Sequence, residues 1–222
     1  MGHQNRMLYA SRVLGLLKRR YRNAMHTGLN HENPWELLVA TMLSAQAQDR
    51  QVNLITPALF RKYKSIDEFS SARPSDLYRY TRSIGLYRTK SRNIVNAARI
   101  IRNEFKLKVP RSIENLMKLP GVGRKTANVV LSNAYGINEG IAIDTHCITV
   151  ANRLGLANSK KPEVIESELM STYPKKEWQN ISHLLIALGR DTCTARKKIC
   201  GRCILKEVCP SSTLKHMAGS KP

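Results

Sequence analysis

Leu119-Pro120-Gly121-Val122-Gly123-Arg124-Lys125-Thr126-Ala127-Asn128-Val129-Val130-Leu131 is a tight turn that opens directly into a helix. Pro120 fixes one φ angle, and the two glycines can adopt φ > 0 and let another backbone approach closely. The run 125–134 has the apolar content of a buried helix. The free N–H groups of the turn therefore lie at a helix N-terminus, and such an end binds anions, phosphate included. A helix-turn-helix linker with a solvated lysine has the same local pattern, and the turn alone does not separate the two readings. Nineteen residues after Lys125, the run Ile143-Asp144-Thr145-His146 adds a carboxylate and an imidazole.

Outward from this turn, helical periodicity dominates the chain. Residues 34–43 form a helix with Pro34 at its first position and Asn33 as its cap. Further helices are predicted near 49–63, 74–82, 88–105, 112–118, 124–135, 145–155, 162–172 and 177–188, with Ser91, Ser112 and Asp144 as caps or first-turn residues. Ile141-Ala142-Ile143 is the one strand-like run, too short to make a sheet. There is no low-complexity linker and no repeat period. The fold class expected is all-α.

Lys and Arg number 37 against 16 Asp and Glu, a formal net charge of +21 over 222 residues. A globular chain this basic points to a polyanion, nucleic acid before an anionic membrane. No run approaches the roughly 18 apolar residues that a membrane-crossing helix needs. The first acidic residue is Glu32, and Arg12, Lys18, Arg19, Arg20 and Arg22 precede it. An acid-poor, Arg-rich start suits a mitochondrial presequence. Val13, Leu14, Leu16, Leu17 and Tyr21 also trace a helical apolar face, and we read this stretch as a docking helix of a cytoplasmic, prokaryotic protein.

Four of the five cysteines, Cys193, Cys200, Cys203 and Cys209, fall in the last thirty residues with the spacing C-x6-C-x2-C-x5-C. With no secretory signal, this argues for one metal centre rather than disulfides. Zinc usually takes two short knuckles, and four thiolates serve an iron–sulfur cluster equally well, so spacing leaves both open. Cys147 stands apart and reads as a small buried hydrophobe. Between the first two ligands, Arg196, Lys197 and Lys198 sit on a loop pinned at both ends, placed to meet DNA phosphates.

Six blocks in register, Asn33 to Leu38, Leu43-Ser44-Ala45-Gln46-Ala47, Ile84-Gly85-Leu86-Tyr87, Leu119 to Leu131, Ile143 to His146 and the four cysteines, resemble the endonuclease III family. These are helix-hairpin-helix DNA glycosylase/AP lyases. The resemblance covers about residues 30 to 209 and implies two helical domains flanking a DNA-binding cleft. Residues 27–138 would form a six-helix barrel, and 1–26 with 139–222 a domain bearing a [4Fe–4S] cluster.

Its chemistry maps residue by residue. Lys125 would be the amine that attacks the sugar C1′ and forms an imine. The positive helix end, Arg124 beside it and burial would each favour the neutral amine. Asp144, a helix cap on its own sequence, would also stabilise positive charge on the sugar and assist proton transfer. Gly121, Val122 and Gly123 would hold the DNA backbone, and His146 would pack or donate to a phosphate. Gln46 and Leu86 would be wedges filling the gap left by an extruded nucleotide.

The partner implied is double-stranded DNA containing damaged bases or abasic sites, bound by a nucleoid-associated monomer that does not engage membranes. Oxidised pyrimidines are the family's substrates. Rival readings are a mismatch-specific glycosylase of the same superfamily, which typically lacks the lysine, and a non-catalytic helix-hairpin-helix DNA-binding protein, which leaves the Lys/Asp pair without purpose. A metal-based regulator lacks a dimerisation heptad or recognition helix.

Overall fold

The chain folds in a computed structural model that describes residues 3–24 and 27–214. Eleven α-helices occur among the described residues. They are α1 (His3–Arg20), α2 (Pro34–Ser44), α3 (Asp49–Lys62), α4 (Ile66–Ser71), α5 (Tyr78–Thr81) and α6 (Tyr87–Glu104). These are followed by α7 (Ile113–Met117), α8 (Arg124–Tyr135), α9 (Thr145–Arg153), α10 (Pro162–Thr172) and α11 (Trp178–Asp191). No strand forms among the described residues, only an isolated bridge between Cys193 and Lys198, and the all-α expectation holds.

Two compact units divide the chain, Gly28–Glu139 on one side and Met1–Thr27 with Gly140–Pro222 on the other. In the first, α2 is the central element. Asn33 accepts the Glu36 N–H at 3.0 Å and starts it; Pro34 gives up no hydrogen bond there because its missing N–H would be unpaired anyway. Trp35, Leu37, Leu38, Val39, Ala40, Met42 and Leu43 are all buried. A helix apolar on every side must be wrapped by others, and α3, α6 and α8 surround it.

Three expectations need correction in this unit. Ser91 is not a cap but a buried interior residue of α6, with its hydroxyl 3.0 Å from that of Thr81. The helix begins instead at Leu86, in a left-handed conformation. The stretch 74–82 divides into a 3-10 turn, Pro74–Leu77, and the short α5. An additional helix, α4, starts at Ser65, whose hydroxyl accepts the Glu68 N–H at 3.2 Å.

The second unit is built around α11 and α9, with α1 docked by Ala10, Val13, Leu14 and Leu17. Lys18 donates to Glu177 at 2.8 Å and Tyr21 to Asp191 at 2.9 Å, fixing the end of α1. The Arg-rich start is therefore a folded helix of this unit. Ile141-Ala142-Ile143 is buried and joins no sheet. Its backbone is satisfied by side chains instead: Ile141 N–H donates to the buried Glu166 at 3.1 Å, and Ser182 donates to Ala142 O at 2.6 Å.

Candidate active site

The hairpin comprises α7, the glycine turn and α8. Ser112 caps α7 by accepting the Asn115 N–H at 3.3 Å, and Leu116 and Leu119 are buried beneath it. The chain then turns back through Leu119 N–H to Leu116 O and Val122 N–H to Leu119 O, both at 3.1 Å. Gly121 sits at φ +79, and a β-carbon there would stand 2.6 Å from Asn93 Nδ2. Only glycine satisfies both constraints. Gly123, at φ −92, is the cap of α8 and faces open space.

The Val122 side chain is buried and its N–H donates to Leu119 O. The first helical bond runs from Ala127 N–H to Gly123 O, so the N–H groups of the first turn precede it and have no intrahelical acceptor. Arg124 and Lys125 open α8 and are both exposed. The burial expected of Lys125 is absent.

Gln46 and Leu86 share a conformation that neither residue type favours. Gln46 lies at φ +58 and Leu86 at φ +59, and with Lys106 and Leu107 they are the non-glycine residues of positive φ among those described. Such a backbone costs about 1–2 kcal/mol for each residue. Leu86 is 65% exposed, an apolar side chain held in water by a strained backbone.

In the other unit, the buried run pinned by Glu166 and Ser182 leads into Asp144. Its Oδ1 accepts the Cys147 N–H at 2.8 Å and caps α9. Among the described residues Oδ2 makes no hydrogen bond. His146, one turn position on, rests on Gly189 of α11, where a β-carbon would come within 2.8 Å of its own. Cys147 is fully buried, its sulfur facing the carbonyls of Ala142 and Ser182.

Cys193, Cys200, Cys203 and Cys209 line one pocket and none forms a disulfide. Burial pushes the Cys203 thiol up; the Leu205 N–H opposes this, and the three other sulfurs push it up again. Hydrogen bonds from Thr213 pull the Cys200 thiol down. Arg153, in the last turn of α9, reaches Cys193 Sγ at 3.3 Å and the carbonyls of Thr194 and Ala195 at 2.7 and 3.0 Å. The loop those carbonyls belong to presents Arg196, Lys197 and Lys198 to solvent, and Lys198 also donates to Ser211 O at 3.2 Å. No three His, Cys, Asp or Glu side chains among the described residues close tightly enough to hold a single metal ion. The donor set is four thiols, none in a disulfide, around a common space.

Sequence reasoning did not find Asn93, Glu166, Ser182, Arg153 or Gly189. Gly189 left a signal, since a glycine in a helix interior lowers stability by about 0.5–1 kcal/mol and calls for a packing reason. The others are ordinary polar residues whose role depends on where the fold brings them.

The chain matches the HhH-GPD superfamily of base excision DNA repair proteins over residues 39–175. Endonuclease III of Synechocystis is 43% identical over 203 residues, covering 91% of this chain and 92% of that protein. Endonuclease III of Escherichia coli is 40% identical over 198 residues, with 88% and 93% covered. A solved endonuclease III trapped in a covalent intermediate with DNA superposes with a TM-score of 0.88 at 38% identity, over 97% of this chain and 99% of that one. The chain belongs to the endonuclease III family, the bifunctional DNA glycosylase/AP lyases of the HhH-GPD base excision repair superfamily.

Proposed function

We propose that this chain excises oxidised pyrimidines from double-stranded DNA and cleaves the strand at the resulting abasic site, with Lys125 as the nucleophile. The observation that carries the assignment is an exposed primary amine in the first turn of α8, directly after a glycine turn whose neighbouring N–H groups can hold a phosphate. Lys125 Nζ attacks C1′ and the base departs with the glycosidic electron pair. Opening of the sugar ring leaves an imine between Nζ and C1′. The imine acidifies C2′, a proton leaves from it, and the 3′ phosphate is expelled by β-elimination. Asp144, held rigid by its own cap, assigns itself to stabilising positive charge on the sugar and to moving protons, its Oδ2 being open to solvent or substrate.

A base stacked in a duplex cannot offer C1′ to an amine, so the nucleotide must be extruded. The strained, exposed Gln46 and Leu86 are the side chains proposed to occupy the space it leaves. Gly121 and Gly123 would flank the phosphate, Arg196 and Lys197 would meet the backbone further along, and His146 is assigned mainly to packing. Cys193, Cys200, Cys203 and Cys209 fit a [4Fe–4S] cluster, which when bound would tie the basic loop to α9 and α11. No described helix is long and apolar enough to cross a membrane.

The direct test is borohydride trapping on duplex DNA with one oxidised pyrimidine. Wild type should form a covalent adduct, and Lys125→Gln should bind the same duplex without forming one. Trapping of Lys125→Gln at the wild-type rate would move the chemistry to another amine.

A further inference from the structure

The two strained tips at Gln46 and Leu86 are not independent. Lys90, one turn into α6 after Leu86, is buried at 7% exposure and donates to Leu43 O at 2.9 Å and Ala45 O at 2.6 Å. Those carbonyls close α2 immediately before Gln46. In return Gln51, in the first turn of α3 after Gln46, donates its side-chain amide to Ser83 O in the loop before Leu86. Each tip is therefore held by a side chain from the helix that follows the other tip.

Lys90 is a costly residue for this task unless the task requires it. Burial lowers its pKa, and among the described residues no carboxylate forms an ion pair with it. Its partners are the unpaired carbonyls at the negative end of α2, where a cation is favoured. Its place also breaks the apolar pattern: Ile94, Ala97, Ala98 and Ile101 follow it on the same buried stripe of α6. A methionine would fill that volume without a buried charge. What an ammonium adds is a bond to two carbonyls of a different loop.

We propose that Lys90, with Gln51 opposite, is a positioning residue that locks Gln46 and Leu86 into one two-pronged wedge, so that both enter the duplex together when the nucleotide leaves. The proposal rests on the reading of Gln46 and Leu86 as wedges. Strain at the tips then has a use: a backbone left to relax would withdraw both side chains, and the clasp prevents relaxation without touching DNA. The wedge matters only while a base pair has to be opened, so the clasp should matter only then.

The experiment is single-turnover base release by the full chain on two duplexes carrying the same oxidised pyrimidine, one opposite a base and one in a single-nucleotide bulge where extrusion is already largely complete. Lys90→Met should slow release from the paired duplex by about tenfold or more and from the bulge by about twofold at most. Gln51→Ala, a milder change at an exposed bond, should show the same contrast at smaller amplitude and serves if Lys90→Met fails to fold. A 2-aminopurine 3′ to the lesion should report slower unstacking in the same variants. Combined with Leu86→Ala, Lys90→Met should add little further loss on the paired duplex, because an absent prong cannot be misplaced. Equal slowing on both duplexes, or none on either, overturns the clasp. If Gln46→Ala and Leu86→Ala themselves fail to distinguish the duplexes, the wedge reading falls and the clasp falls with it.

Discussion

His146 is seated on Gly189 so closely that a β-carbon at 189 would lie 2.8 Å from the histidine Cβ and 3.1 Å from its Nδ1. Glycine in the last turn of α11 forfeits helical stability, and what it admits is the imidazole two residues beyond Asp144. Packing of α11 on α9 thus reaches the capping carboxylate through one side chain.

Gly189→Ala should consequently lower stability even though alanine is the better helix former. The gain of about 0.5–1 kcal/mol from removing the glycine is opposed by an overpacking cost of about 1–3 kcal/mol. Base release should fall as well, because the first turn of α9 shifts with His146. Thermal unfolding and single-turnover excision measure the two effects. A raised Tm with full activity would mean that His146 swings aside freely and positions nothing.

The two glycines of the hairpin should behave differently. Gly121→Ala meets both a left-handed φ and Asn93 Nδ2 at 2.6 Å, so it should cost about 1–3 kcal/mol and weaken DNA binding through a distorted turn. Gly123→Ala has ordinary φ and open space. It should fold with a loss of about 1 kcal/mol or less from a poorer cap. Binding to duplex DNA should still weaken, because the added methyl stands where we propose that a phosphate approaches. If Gly123→Ala binds as tightly as wild type, that end of α8 does not hold DNA.

Anaerobically purified protein should be brown, with broad absorption around 400 nm and about four irons per chain. Cys→Ser at 193, 200, 203 or 209 should lose colour and make residues 193–209 protease-sensitive. Cys147→Ser should keep the iron, since Cys147 does not line the pocket. Its stability should change by about 1 kcal/mol or less, since the serine hydroxyl would face the carbonyls of Ala142 and Ser182. Colourless protein with one zinc per chain would replace the cluster with a single ion.

Much of this fold is written locally, and what is not follows a pattern. Asn33, Ser112 and Asp144 each cap a helix with the acceptor that their sequence suggests, because capping needs only neighbours three residues away. Ser91 misled for the same reason: its local preference for a cap was overridden by burial against Thr81. Lys125 was visible beside its glycines, yet its exposure depends on elements remote in sequence. The clasp of Lys90 and Gln51 spans 45 and 32 residues. No local rule connects a lysine on an apolar stripe to the carbonyls it will meet, although its intrusion there marked it for explanation.

The basic loop gives a graded prediction. Arg196, Lys197 and Lys198 are all exposed, but the Lys198 ammonium alone of the three donates to a carbonyl, Ser211 O. Arg196→Ala and Lys197→Ala should each flatten the dependence of log binding constant on log salt by about 0.9. Lys198→Ala should flatten it less and instead loosen the segment near Ser211. Titration of an undamaged duplex at several salt concentrations tests this. Equal slopes for all three variants and wild type would place the loop away from DNA, and changed lesion preference in any of them would contradict a role limited to phosphates.

Asp144 carries a cap and a proposed charge in one carboxylate, and two substitutions separate them. Asp144→Asn keeps an oxygen to accept the Cys147 N–H, so the chain should unfold within about 0.5 kcal/mol of wild type. Asp144→Ala loses the acceptor and should cost about 1 kcal/mol. Base release should nevertheless fall in both, by about 10²–10⁴-fold, since both remove the charge. The two variants would then differ in stability but not in excision, a pattern a purely structural residue cannot produce. Imine formation on a preformed abasic site should suffer less than excision, because no glycosidic bond remains to be assisted. Asp144→Asn with wild-type base release would confine Asp144 to the cap.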